Sequence, residues 1–123
     1  MVGEGFDRVT RLKGGWLEAR SDAGYVLARH WPPRFDVQAT SEFENLRASR
    51  LARQVRQDLW RAVQNLRGFS PVVQILFTTG GLAVTAGGRV DGRIPHGIES
   101  QIQALLDDPA RRARWKTWAR RGK

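Results

Sequence analysis

The sequence contains no cysteine, which excludes a disulfide scaffold, a thiol nucleophile and any cysteine-ligated zinc or iron–sulfur centre. The same absence leaves the redox compartment open. Histidine is nearly as scarce. Its two copies, His30 and His96, are neither spaced as a metal pair nor accompanied by a carboxylate cluster, so neither a metal nor a cofactor is expected. G-x-S-x-G, GxxxxGK[ST] and G-x-G-x-x-G are all missing, no catalytic residue is assigned, and a non-enzymatic protein is expected. Long hydrophobic runs are absent too, because Arg or Asp breaks each one well short of the roughly 18 residues of a membrane span. The opening MVGEGFDRVTRLKGG has no apolar signal core, and the chain is read as cytoplasmic. Acid is the last shortage: 12 Asp and Glu face 21 Lys and Arg, for a net charge of +9, and Arg outnumbers Lys by 18 to 3. The expected partners are therefore anionic.

What is present suits one hydrophobic core. A chain of 123 residues buries roughly two-thirds of its unfolded surface, and 41% apolar residues supply the material. One α+β domain is expected over residues 1–108, with a basic C-terminal helix, residues 109–123, docked on it.

Turn signals divide the first 31 residues into three short strands, Phe6 to Leu12, Trp16 to Arg20 and Tyr25 to Trp31, separated by Gly14-Gly15 and by Ser21-Asp22-Ala23-Gly24. Pro32-Pro33 ends the third. Ser41 followed by Glu44 has the spacing of a capping box, which predicts that a long helix begins there. Ala48, Leu51, Ala52, Val55, Leu59, Ala62, Val63 and Leu66 then recur by steps of three and four as one apolar stripe, and Gly68 is its natural stop. VVQILFTTGGLAVTAGG predicts two core strands joined at Gly80-Gly81. A loop at Gly87-Gly88, Asp91-Gly92 and Pro95 follows, then a helix from His96 to Leu106. Asp108 before Pro109 has the form of an N-cap followed by proline at the first helical position, so a short terminal helix comes last. The expected order is βββ-α-ββ-α-α, a mainly antiparallel sheet of about five strands covered by one long helix, with two short C-terminal helices.

Charge is unevenly spread along this order. The final fifteen residues, PARRARWKTWARRGK, hold seven cations and no acid. Arg111, Arg112, Arg114, Lys116, Arg120 and Arg121 there surround Trp115 and Trp118, and Arg111, Trp115 and Trp118 share one helical face. Two readings stand. Guanidinium groups suit phosphates and indoles suit exposed bases. Large aromatics at helical spacing also commonly anchor an element to the core, leaving the arginines as a solvated face. The long helix carries a second basic stripe, Arg47, Arg50 and Arg61 with the intervening Gln54 and Gln57, which equally suits phosphate contact or mere solubility.

The expected function is a small non-catalytic nucleic-acid-binding protein, for DNA or RNA, that touches the phosphate backbone through these arginine-rich helices with low sequence specificity. No RNP octamer, KH loop or zinc finger is present. Asp107 to Pro109 joins two helical stretches as a helix-turn-helix would, but without the usual turn glycine. Gly87, Gly88 and Gly92 near Arg89 and Arg93 read as turns more readily than as an anion nest. The alternative function is a protein-interaction or assembly subunit, phage-like in type, whose basic terminal helix docks on an acidic protein partner.

Overall fold

The computed structural model describes residues 8–121; the expected start of the first strand at Phe6, and Lys123, lie outside them. Six strands form one antiparallel sheet. They are β1 (Val9–Arg11), β2 (Leu17–Ser21), β3 (Gly24–Ala28), β4 (Val37–Glu44), β5 (Phe69–Thr78) and β6 (Gly81–Val90), in the spatial order β1-β2-β3-β5-β6-β4. A 3-10 turn at Lys13–Gly15 joins the first two strands. Three helices complete the described residues: α1 (Ala48–Val63), α2 (Ile98–Asp107) and α3 (Pro109–Ala119). The class is α+β as expected, with one strand more.

The extra strand is β4, where a helix start was expected. Val37, Ala39 and Phe43 point into the core while Gln38, Thr40, Glu42 and Glu44 are exposed, which is a period of two. Pairing with β6 along its whole length, from Val37 opposite Gly88 to Glu44 opposite Gly81, overrides the Ser41/Glu44 capping pattern. The helix starts instead at Ala48, with Arg47 as N-cap and no side-chain cap. All three N-terminal strands are also shorter or shifted. The third ends at Ala28 rather than Trp31, so His30 lies beyond it, and all five of its residues are buried.

Gly87 and Gly88 form neither a turn nor a nest. They lie inside β6, where a side chain at Gly87 would collide with the Val37 carbonyl and one at Gly88 with the Ser70 carbonyl. Glycine therefore lets β6 sit tightly between β4 and β5. The Asp107–Pro109 joint is likewise no helix-turn-helix, since Asp108 alone separates α2 from α3 and leaves no three-residue turn. Its capping role is as expected: the Asp108 carboxylate accepts from the Arg111 N–H at 2.8 Å.

The sheet is covered by helices on one face and over part of the other by a loop. On one, Tyr25, Leu27, Val73, Ile75, Leu82, Val84 and Phe43 meet Leu51, Val55, Leu59 and Val63 of α1, Ile102, Leu105 and Leu106 of α2, and Trp115 of α3. On the other, Ala19, Val26, Ala28 and Val72 are capped by Trp31 and Phe35 from the loop after β3. That loop is fastened at Asp36, whose carboxylate accepts from Arg34 at 2.9 and 3.1 Å and from the Val90 N–H at 2.9 Å. The Arg34 contact first, then Val90, holds Asp36 below the ordinary carboxylate range.

The edge strand β4 would expose unpaired backbone groups, an invitation to pair with another chain. Helical side chains answer them. Glu99 accepts from the Gln38 N–H at 2.9 Å, Gln103 donates to the Thr40 carbonyl at 2.9 Å, and Arg112 donates to the Glu42 carbonyl at 2.6 Å. Among the described residues no helix is long and apolar enough to cross a membrane.

Val55 sits at the middle of the α1 stripe with no exposed surface, while the neighbouring Gln54 is half-buried on the polar side. Val55→Asp is expected to abolish cooperative unfolding in a thermal melt, because an unpartnered buried carboxylate costs a large share of a total stability of about 5 to 15 kcal/mol. Gln54→Asp is expected to keep a near-native midpoint; equal midpoints would mean that the buried face is misassigned.

Candidate nucleic-acid interface

The basic terminal helix is a packed layer. Trp115 has no exposed surface and donates its indole N–H to the Asp58 carboxylate at 2.7 Å, with its ring 6.2 Å from that of Phe43. It is a core anchor, unavailable for stacking on a base. Trp118, one turn on, is 61% exposed. The helix runs antiparallel to α1, and its end is tied down where the Arg47 N–H donates to the Ala119 carbonyl at 2.8 Å.

Most cations of that helix have partners. The Arg112 guanidinium lies 3.8 Å from the centroid of the Phe43 ring and donates to the Ser41 hydroxyl and to the carbonyls of Leu106 and Glu42. It is a structural clamp between α3 and β4. Arg114 donates to Asp58, Lys116 stands 3.3 Å from Glu44, Arg111 3.6 Å from Asp108, and Arg121 donates to Asn45 at 3.1 Å. Arg120 is exposed and makes no ion pair among the described residues. The expected phosphate-binding set thus separates: Trp115 is buried, Arg112 is half-buried against β4, and Arg114, though exposed, is engaged by Asp58.

The long-helix stripe is different. Arg47, Arg50, Arg53 and Arg61 are exposed, and the helix has a single acidic residue, Asp58. Asp58 is buried and faces α3, where Trp115 and Arg114 engage it; Arg61 reaches it only at 3.9 Å. Among the described residues no carboxylate lies within ion-pair distance of Arg47, Arg50, Arg53 or Arg56. Because Arg114 meets α1, Arg111 and Trp118, three and four residues to either side of it, lie along the same junction. The exposed arginines of α1 form a basic ridge, and α3, packed beside α1, carries the exposed Trp118.

Comparison with protein-family models, with curated proteins and with solved structures finds no match. The geometry alone carries the functional reading.

A second basic region, which the sequence reading did not single out, flanks α1 toward the sheet. Arg56 and Arg29 place their guanidinium carbons 4.4 and 5.3 Å from the centroid of the Trp16 ring. Burial, then the positive charges of Arg53 and Arg29, disfavour the charged form of Arg56. Trp60, one turn after Arg56, is 47% exposed beside them. Only the Arg56 and Trp60 spacing was available in the sequence as a signal. His30 meets Ser70 here through Nδ1 and Oγ at 2.7 Å, and among the described residues no three His, Asp or Glu side chains gather as a metal site.

The Asp58 contact to Trp115 is open to a double-mutant cycle. Asp58→Ala is expected to lower stability by about 1 to 3 kcal/mol, because it leaves the buried indole N–H without its acceptor, whereas the half-exposed Arg114 turns to water. Trp115→Phe removes only the N–H and part of the ring. Denaturant titrations of both singles and the double should give a coupling of about 1 to 3 kcal/mol; additive losses would show that the hydrogen bond does not hold α3.

Proposed function

We propose that this protein is a non-catalytic, cytoplasmic nucleic-acid-binding protein, for DNA or RNA, which grips the phosphate backbone through the α1 ridge with little sequence preference. One observation carries the reading: the only carboxylate of α1 is turned into the core and engaged there, so Arg47, Arg50 and Arg53 present uncompensated charge on one exposed face. Guanidinium forks suit phosphate oxygens, and arginines on a helix can follow successive phosphates. Arg111 and Trp118 of α3 and Arg120 just after it extend the ridge, whereas Arg112, Arg114 and Lys116 contribute mainly to stability. Phosphate contacts position a protein on nucleic acid without carrying sequence information, so specificity is expected to be low.

The test is a salt series of fluorescence anisotropy with labelled duplex DNA and single-stranded RNA. Four to six phosphate contacts give log K against log salt a slope of roughly −3.5 to −5.5 on duplex DNA. Arg50→Ala and Arg53→Ala are each expected to flatten that slope by about one unit and to weaken all sequences alike. Lys116→Ala, which loses only its contact to Glu44, should leave the slope unchanged. A slope near zero, or affinity confined to one sequence, would contradict the reading and favour docking on an acidic protein partner.

A further inference from the structure

The cleft beside α1 is assembled from segments distant in the chain. Leu17 pairs with Ala28, and Ala28 with Val72, so the next residues out, Trp16, Arg29 and Pro71, come together at one end of the sheet. Arg56 and Trp60 reach them from α1, and the resulting cleft has a volume of about 510 Å³, within the ordinary range for a small-ligand site. It contains no acidic side chain. Another cleft, of about 390 Å³, is less suited to a nucleotide: beside Arg47 its Arg20 is paired with Glu18 at 3.6 Å and its Arg121 is bonded to Asn45, and no indole lines it.

Three features define what the larger cleft would hold. Arg29 and Arg56 converge on one ring with no carboxylate answering either among the described residues, and two like charges held together stabilise a bound dianion. Trp16 already carries those guanidinium groups on its ring, whereas Trp60 keeps about half its surface in solvent and is available to stack on a planar group. The His30 imidazole is exposed, and its Nδ1 is fixed on the Ser70 hydroxyl, which leaves Nε2 as a further polar group at the rim.

We infer that this cleft binds one unpaired nucleotide, its base stacked on Trp60 and its phosphate held by Arg29 and Arg56. The inference deepens the nucleic-acid reading and rests on it for choosing a nucleotide over another planar anion. Base stacking on an aromatic side chain is sequence-tolerant, so the cleft adds preference for single strands without adding base specificity.

Calorimetric titration of the whole protein with adenosine monophosphate and, separately, with inorganic phosphate tests it. The nucleotide should bind at least tenfold more tightly than phosphate. Trp60→Ala should remove that advantage and leave phosphate affinity unchanged, Trp60→Phe should restore most of it, and Arg29→Ala should weaken both ligands about tenfold. Trp60 is exposed enough that its replacement should preserve the circular dichroism spectrum. Equal affinity for nucleotide and phosphate, full nucleotide binding by Trp60→Ala, or no binding of either ligand would each overturn the inference. Duplex DNA, which offers no unpaired base, reads the α1 ridge alone. Salt-dependent duplex binding without nucleotide binding would therefore sink the cleft and leave the ridge, and the converse result would do the reverse.

Discussion

Asp58 is the constraint from which most of the molecule's surface follows. A buried carboxylate must be paired and hydrogen-bonded, and here the Trp115 indole and the Arg114 guanidinium supply both. The pairing docks α3 on α1, which puts a full tryptophan into the core and ties the end of the chain to the start of the long helix. It also turns the single carboxylate of α1 away from Arg47, Arg50 and Arg53, leaving only Arg61 of that helix within ion-pair distance of it. Stability and surface potential thus share one residue.

Docking α3 has a second consequence at the sheet edge. Once α2 and α3 are in place, Glu99, Gln103 and Arg112 occupy the backbone groups of β4 that would otherwise face solvent. The strand is closed to further pairing by side chains rather than by another strand, so β4 can be long and regular. Arg112 therefore serves the fold twice, over the Phe43 ring and at the Glu42 carbonyl.

Local signals were legible in the sequence and non-local ones were not. Asp108-Pro109 announced α3 because a cap and its proline act within one turn, and the apolar stripe announced α1 because its period is intrinsic to the helix. Ser41 and Glu44 misled for the same reason in reverse: their spacing fits a capping box, but the alternation of Val37, Ala39 and Phe43 and the partner strand β6 decided the matter. Gly87 and Gly88 looked like a turn because nothing in the local sequence reveals that two neighbouring strands press on them. At the candidate site the basic character was readable, but its division was not. Trp115 and Trp118 are equivalent in composition, and only the position of Asp58 on the facing helix makes one a core residue and the other a surface one. Of the cleft only the Arg56 and Trp60 spacing was local, because Trp16, Arg29 and Ser70 meet through strand register.

The central claim is that anions meet the protein on α1 while α3 stays docked. The five tryptophans provide the probes, since each indole N–H gives its own signal in a nitrogen–proton correlation spectrum. On titration with a single-stranded oligonucleotide, the Trp60 signal should move progressively while the Trp115 signal, held on Asp58 in the core, stays in place and resists exchange with solvent. A Trp115 signal that shifts or exchanges on binding while Trp60 stays still would contradict the account, for it would mean that the terminal helix leaves the core to bind.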